Sequence, residues 1–265
     1  ERRGIVHHMM DCIEPDELRF TVSRFRDGAI EAANGIIAKG KRPLVVGGTG
    51  LYINALTYPL TFSQIAPDGE LRAELMEKEQ AKKGALHEML AETDAKAAKR
   101  LHPNDVKRIV RALEICIKSG KKASEQGEGF TYRNDDALEF TPVMAGINMP
   151  RDMLYARIEK RVDDMFNAGL VDEVRALLSR GCTRDLPAMQ GLGYKETIAY
   201  IMGECTLDEA KETIKRETRR FAKRQLTWFR REERIRWFDA TEYGCAEELG
   251  KAIAEHFLTQ EEQNG

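Results

Sequence analysis

The segment Gly47-Gly48-Thr49-Gly50-Leu51-Tyr52 has the residue types of a small-molecule site. It follows an apolar run, Leu44-Val45-Val46, and leads into a helical pattern from Tyr52 to Leu56. Glycines let backbone N–H groups approach a ligand closely, and a helix N-terminus favours anions. Ligands of open α/β sheets bind at the carboxyl ends of strands, which is where this segment would lie. A tight strand-to-helix turn explains the same residues, and context alone leaves the two readings even. Gly35 to Arg42 nearly matches the phosphate loop G-x-x-x-x-G-K-[ST] but fails twice. Arg42 stands where a hydroxyl should hold magnesium, and the segment precedes a strand instead of following one. It reads as a helix end and a turn.

Cations form the second group of candidates. Arg157 and Arg161 are spaced i, i+4 and share a helix face. Two neighbouring guanidiniums repel unless an anion lies between them. A phosphate would serve, and so would Asp164 on the next turn. Residues 215–236 hold ten bases against three acids, with Arg216, Arg220, Lys223, Thr227, Arg230 and Arg234 recurring at helical spacing beside Trp228 and Phe229. A cationic stripe with aromatics suits phosphate tracking and base stacking, and so favours nucleic acid. Leu101 to Arg111 reads as a turn and a helix start carrying Lys107, Arg108 and Arg111, and Gln190-Gly191-Leu192-Gly193-Tyr194-Lys195 joins two glycines, an aromatic and a cation. Each is also compatible with an ordinary helix start.

The elements that must position these groups follow from periodicity. Val143 to Ile147 and Ile235 to Phe238 read as buried strands like Leu44 to Val46, and continuous apolar strands separated by helices indicate a parallel α/β sheet. One helix starts near Asp152 and buries Leu154, Ile158, Val162 and Met165, with Gly169 at its end. The next buries Leu170, Val174, Leu177 and Leu178 up to Gly181. Thr206-Leu207-Asp208-Glu209 is a capping-box pattern opening a third. Residues 68–100 read as a polar helical insert and 119–139 as a linker or loop.

The 265 residues carry a formal charge of only −2, so a uniformly basic coat is excluded. The balance conceals a local +7 at 215–236 beside seven acids and one base in 239–265. No apolar run reaches the roughly 18 residues of a membrane span. Five scattered cysteines without metal-ligand spacing suggest reduced thiols in a cytoplasmic protein. The chain starts on Glu1 without a signal-peptide pattern, which suggests that residues precede it.

In order, His7-His8-Met9-Met10-Asp11, Val46 to Tyr52, Leu101 to Glu114, Gly169 to Val174, Met189 to Glu196 and Lys223 to Arg230 resemble the tRNA dimethylallyltransferase (tRNA isopentenyl-diphosphate transferase) family over roughly residues 4–238. The resemblance implies an α/β fold with a P-loop NTPase-like, nucleotide-binding (ATP-binding) core. Its mostly parallel sheet is flanked by helices, with a helical insertion domain. The expected parts are core at 1–65 and 106–238, insertion at 66–105 and an acidic tail at 239–265. The implied reaction moves a dimethylallyl group from its diphosphate to the N6 amine of adenosine 37 beside the tRNA anticodon, with Mg2+ as cofactor.

Carried over residue by residue, the resemblance makes Lys107, Arg108, Ile109, Val110 and Arg111 tRNA-binding. So are Gln190, Gly191, Leu192, Gly193, Tyr194 and Lys195, and the run Lys223, Arg224, Gln225, Leu226, Thr227, Trp228, Phe229 and Arg230. Gly47, Gly48, Gly50 and Tyr52 line the substrate channel, and Thr49, Arg157 and Arg161 are the catalytic candidates. No metal ligand is expected within the chain. The partners are the anticodon stem–loop of tRNA and dimethylallyl diphosphate, without a membrane, and a monomer is expected. In the family the phosphate loop and the general-base Asp precede the segment matched by His7-His8, so residues 1–265 alone are expected not to complete catalysis. Two other readings stand beside this one: a P-loop small-molecule kinase, which needs no strongly basic helix, and a non-catalytic RNA-binding protein, which leaves the glycine segment and the paired arginines without a task.

Overall fold

A computed structural model describes residues 4–17, 20–60, 65–125 and 140–264. Most of the segment read as a linker at 119–139 lies outside the described residues. The chain divides into two compact units, Glu1–Ile53 with Phe140–Gly265, and Asn54–Glu139.

The Asn54–Glu139 unit contains α3 (Gly69–Ala81), α4 (Ala85–Thr93), α5 (Ala95–Arg100) and α6 (Val106–Ser119). Residues 66–105, read as a helical insert, fall inside it together with α6. Val106, Ile109, Val110, Leu113 and Cys116 recur every three or four residues along α6. That stripe must be covered, and it packs with Leu75, Leu86 and Leu90, all at most 1% exposed. Two buried carboxylates fasten the helix ends. Asp94 caps α5 by accepting from Ala97 N–H (3.0 Å) and takes the N–H and hydroxyl of Ser124 at 2.7 and 2.8 Å. Glu114 on α6, its side chain wholly buried, accepts two hydrogen bonds of 2.8 Å from Arg72 and one of 2.7 Å from Asp68 N–H. Arg111 adds an ion pair to the same carboxylate.

The other unit contains α1 (Val22–Ile37), the first half of α2 (Gly50–Thr57), β1 (Met144–Asn148), α7 (Arg151–Asn167), α8 (Leu170–Ser179), α9 (Tyr194–Ile201), α10 (Leu207–Phe229), β2 (Ile235–Asp239) and α11 (Ala246–Asn264). β1 and β2 pair in parallel, from Met144 opposite Ile235 to Asn148 opposite Asp239, as the apolar runs suggested. The strands are not buried as expected: Ile147 and Trp237 are exposed, and Phe238 alone of the two strands is in the core. Leu44 to Val46 does not form the expected strand. It is 55–85% exposed, and no described strand lies beside it. An apolar run becomes a strand only when a neighbour supplies its ladder.

The near-match at Gly35 to Arg42 is the end of α1 and a left-handed turn at Gly40. Gly169, also left-handed, separates α7 from α8, and Thr206 with Glu209 forms the capping box of α10. The acidic residues after β2 enter α11, whose His256 lies against Phe238 and the carbonyl of Met144. No cysteine is in a disulfide, and no described helix is long and apolar enough to cross a membrane.

Candidate functional site

α10 has two dissimilar halves. Ala210 and Ile214 bury its first turns, and bases in the middle are braced against α7: Lys215 to Asp163 (2.9 Å) and Arg219 to Glu159 (2.7 Å). Arg216 and Arg220 both pair with Glu217. The positive charge of this stretch is therefore spent within the unit. Lys223, Arg224, Arg230 and Arg231 pair with no acid among the described residues. The free charge of the basic segment is concentrated at its C-terminal end, beside Trp228.

The glycine segment meets that end. Gln225 Nε2 donates to the carbonyl of Gly48 at 2.9 Å across 177 residues of sequence. A Cβ on Gly48 would stand 1.9 Å from that same nitrogen, and one on Gly50 would stand 2.3 Å from the indole nitrogen of Trp228. Gly50 is thus required for the approach of the rigid indole, whereas at Gly48 the neighbour is the end of a flexible side chain. Thr49 is exposed at the start of α2, where its carbonyl accepts from the N–H groups of Tyr52 and Ile53. Tyr52 stacks on Phe25 of α1, with centroids 4.1 Å apart and planes 14° from parallel. Burial, and secondly the charge of Cys12, push the Tyr52 hydroxyl above its ordinary pKa.

Two concavities adjoin the free end of α10. On its outer side Arg220, Lys223, Arg224, Thr227, Trp228 and Arg231 surround a shallow depression of about 420 Å³. Towards the carboxyl ends of β1 and β2 lies a more enclosed cleft of about 360 Å³, bordered by Arg151, Tyr155, Leu226, Arg230 and Asp239. Sequence reasoning missed Phe25, Arg151, Tyr155 and Asp239. The positions of Arg151 and Asp239 just beyond and at the end of two strands were the available signal.

The other candidates are placed separately. Gln190 to Lys195 runs from a 3-10 turn into α9. Gly193 is left-handed (φ +102°), and its N–H donates to the buried Glu196 at 2.9 Å. Met189 beneath is fully buried, while Leu192 and Lys195 face outward. Tyr194 is half-buried and hydrogen-bonds Glu173, and burial followed by that carboxylate pushes its hydroxyl up to about 12. Lys107 to Arg111 belongs to the Asn54–Glu139 unit. Ile109 and Val110 are core there, Arg111 braces Glu114 and the Ile65 carbonyl, and Lys107 and Arg108 are exposed.

Arg157 and Arg161 are exposed on α7, on the side away from Tyr155, Glu159 and Asp163, which face α10. Asp164 is held by Lys160 at 3.0 Å, so the local neutralisation that the spacing allowed is not realised. The two guanidiniums pair with no acid among the described residues.

The site's donor set does not fit a protein-held Mg2+. That ion requires oxygen ligands and is usually held by one or two carboxylates with substrate phosphates. The side chains here are mostly cationic, and the cleft's one carboxylate, Asp239, accepts from the N–H and hydroxyl of Thr241 at 2.9 and 2.7 Å. Among the described residues no group of three His, Cys, Asp or Glu side chains could hold a metal.

The IPP transferase (IPPT) family profile matches residues 1–232. A tRNA dimethylallyltransferase of Desulforudis audaxviator is 49% identical over 245 residues, covering 92% of this chain and 77% of that protein. One from Acetivibrio thermocellus is 45% identical, covering 98% and 82%. The crystal structure of the full-length tRNA isopentenylpyrophosphate transferase from Bacillus halodurans superposes with a TM-score of 0.66 at 38% identity, covering 99% of this chain and 82% of that one. A eukaryotic dimethylallyltransferase captured acting on tRNA gives 0.73 at 26% identity, covering 98% and 67%.

Proposed function

The chain belongs to the IPP transferase family, and from that premise we propose that it transfers a dimethylallyl group from dimethylallyl diphosphate to the N6 amine of adenosine 37 in tRNA. The observation that carries this reading is the junction of the glycine segment with the cationic end of α10 through Gln225 and Trp228. It joins a loop suited to a small anionic substrate to a surface suited to RNA.

The reaction breaks the allylic C–O bond, forms a C–N bond, and releases diphosphate and the amine proton. Charge grows on the departing oxygens and must be met by fixed cations and N–H donors. Thr49 with the backbone of Gly47 to Gly50 is proposed to line the channel, and Arg157 and Arg161, exposed on the face of α7 turned from α10 and without an acid between them, to take the diphosphate. The adenine must leave its stack before the amine can reach the allylic carbon. Trp228 and Tyr52 supply aromatic faces nearby, while Lys223, Arg224 and Arg230 hold the flanking phosphates. Lys107, Arg108 and the outward side chains of Gln190 to Lys195 are proposed as further contacts to the RNA. Magnesium would accompany the diphosphate as its counter-ion, held by phosphate oxygens and not by the protein. We place the protein in the cytoplasm as a monomer.

The deciding experiment incubates the full-length protein with unmodified tRNA, dimethylallyl diphosphate and magnesium, then digests the RNA for mass spectrometry. Prenylated adenosine is the expected product. RNA binding without transfer would favour a non-catalytic RNA-binding protein, and loss of both would favour a small-molecule kinase.

A further inference from the structure

The cleft at the carboxyl ends of the two strands shares Lys223 and Arg230 with the RNA surface proposed above, but its Arg151, Tyr155 and Asp239 have no task in that reaction. Arg151, Lys223 and Arg230 give it three positive charges, none paired with an acid among the described residues. α7 opens on the cleft with no side chain capping its first N–H groups, so its positive pole adds to the same field. Leu154, Tyr155 and Leu226 make an apolar and aromatic wall. Asp239 completes the lining. Hydrogen bonds from Thr241 hold its carboxyl below the ordinary range, so it is an ionised acceptor.

A cationic side, a flat apolar wall and one anionic acceptor are together the complement of a nucleotide. The phosphate meets the cations, the base meets the wall, and an exocyclic amine or ribose hydroxyl donates to the carboxylate. The volume, about 360 Å³, lies at the low end of the roughly 300–1,000 Å³ of ligand pockets, which suits one nucleotide unit. Lys223 and Thr227 border both this cleft and the open depression on the outer side of α10. A strand following the depression therefore reaches the cleft without leaving the cationic surface.

We propose that the cleft receives one nucleotide of the bound RNA flanking the modified base, with its phosphate on Arg151, Lys223 and Arg230 and its base against Tyr155. The inference rests on the RNA-binding reading of α10 and extends it to Arg151, Tyr155 and Asp239. A free nucleotide presents the same chemistry, so the test must separate the two sources.

Binding of a fluorescent anticodon stem–loop is measured against salt for the wild-type chain and for Arg151→Ala, Arg151→Lys, Arg224→Ala and Arg175→Ala. Arg151→Ala is expected to weaken binding about tenfold and to reduce the slope of log K against log salt by about one. Arg151→Lys should keep most of the affinity, showing that charge and not folding is at stake. Arg175, an exposed partner of Asp172, should be silent. Weakening by Arg224→Ala with no effect of Arg151→Ala would overturn the cleft proposal and leave RNA binding intact. Failure of the wild-type chain to bind the stem–loop would overturn both. AMP that binds the wild type and not Arg151→Ala, with stem–loop affinity unchanged, would assign the cleft to a free nucleotide and overturn the RNA source.

Discussion

Single atoms decide two outcomes. A Cβ at Gly50 meets the rigid indole of Trp228, whereas at Gly48 it meets the end of a flexible Gln225, and at Gly47 it meets nothing within 4 Å. Gly50→Ala is therefore expected to cost about 1–3 kcal/mol through overpacking and to shift Trp228 fluorescence, with transfer falling in parallel. Gly47→Ala should stay within about 0.5 kcal/mol of wild type in urea denaturation. The second case is Glu114. Burial would raise its carboxyl, but Arg72, the Asp68 N–H and Arg111 outweigh burial and lower it from 4.5 to about 2. The unfolded chain binds a proton near pH 4.5 while the folded one resists to about 2, so this contribution is present above 4.5 and is lost as pH falls through that window. Glu114→Gln should destabilise its unit by about 3 kcal/mol at pH 7 and flatten the acid limb of its melting curve. The glycine segment was legible because its residue types are unusual. Glu114 was not, because its partner Arg72 lies 42 residues earlier in the chain.

Helices were read more reliably than strands because their signals are local. The capping box at Thr206 needs four consecutive residues, and Thr206→Ala should cost about 1 kcal/mol in urea denaturation while leaving the C-terminal end of α10 in place. The run at Leu44 to Val46 has strand composition without a described strand beside it, and composition alone cannot supply a ladder. The basic stripe of α10 was visible as spacing, but its division into braced and unbraced halves was hidden. The acids that neutralise Lys215 and Arg219 come from α7, Glu159 lying sixty residues before Arg219. A local pairing, one turn along α7, resolves Arg157 and Arg161. Sequence offered Asp164 as a neutraliser, and the structure gives it to Lys160.

A net charge of −2 gives no hint that the chain should bind RNA with a steep salt dependence. Because the free cations lie together, Lys223→Ala and Arg224→Ala combined should lower the salt slope by about two. Lys215→Ala, which breaks the pair with Asp163, should leave the slope nearly unchanged. The two units each have a core, so calorimetry should resolve two transitions, and the Asn54–Glu139 transition should fall first on acidification because Glu114 lies there.

The amide of Gln225 that grips the Gly48 carbonyl also imposes a symmetry. RNA that draws on the end of α10 is expected to act, through this bond, on the loop proposed to meet the prenyl donor, and the donor to act back on the RNA surface. Thermodynamic reciprocity requires the two effects to be equal. Whatever factor a non-reactive diphosphate analogue adds to RNA affinity, RNA must add to the affinity for the analogue, and Gln225→Ala should bring both factors towards one together.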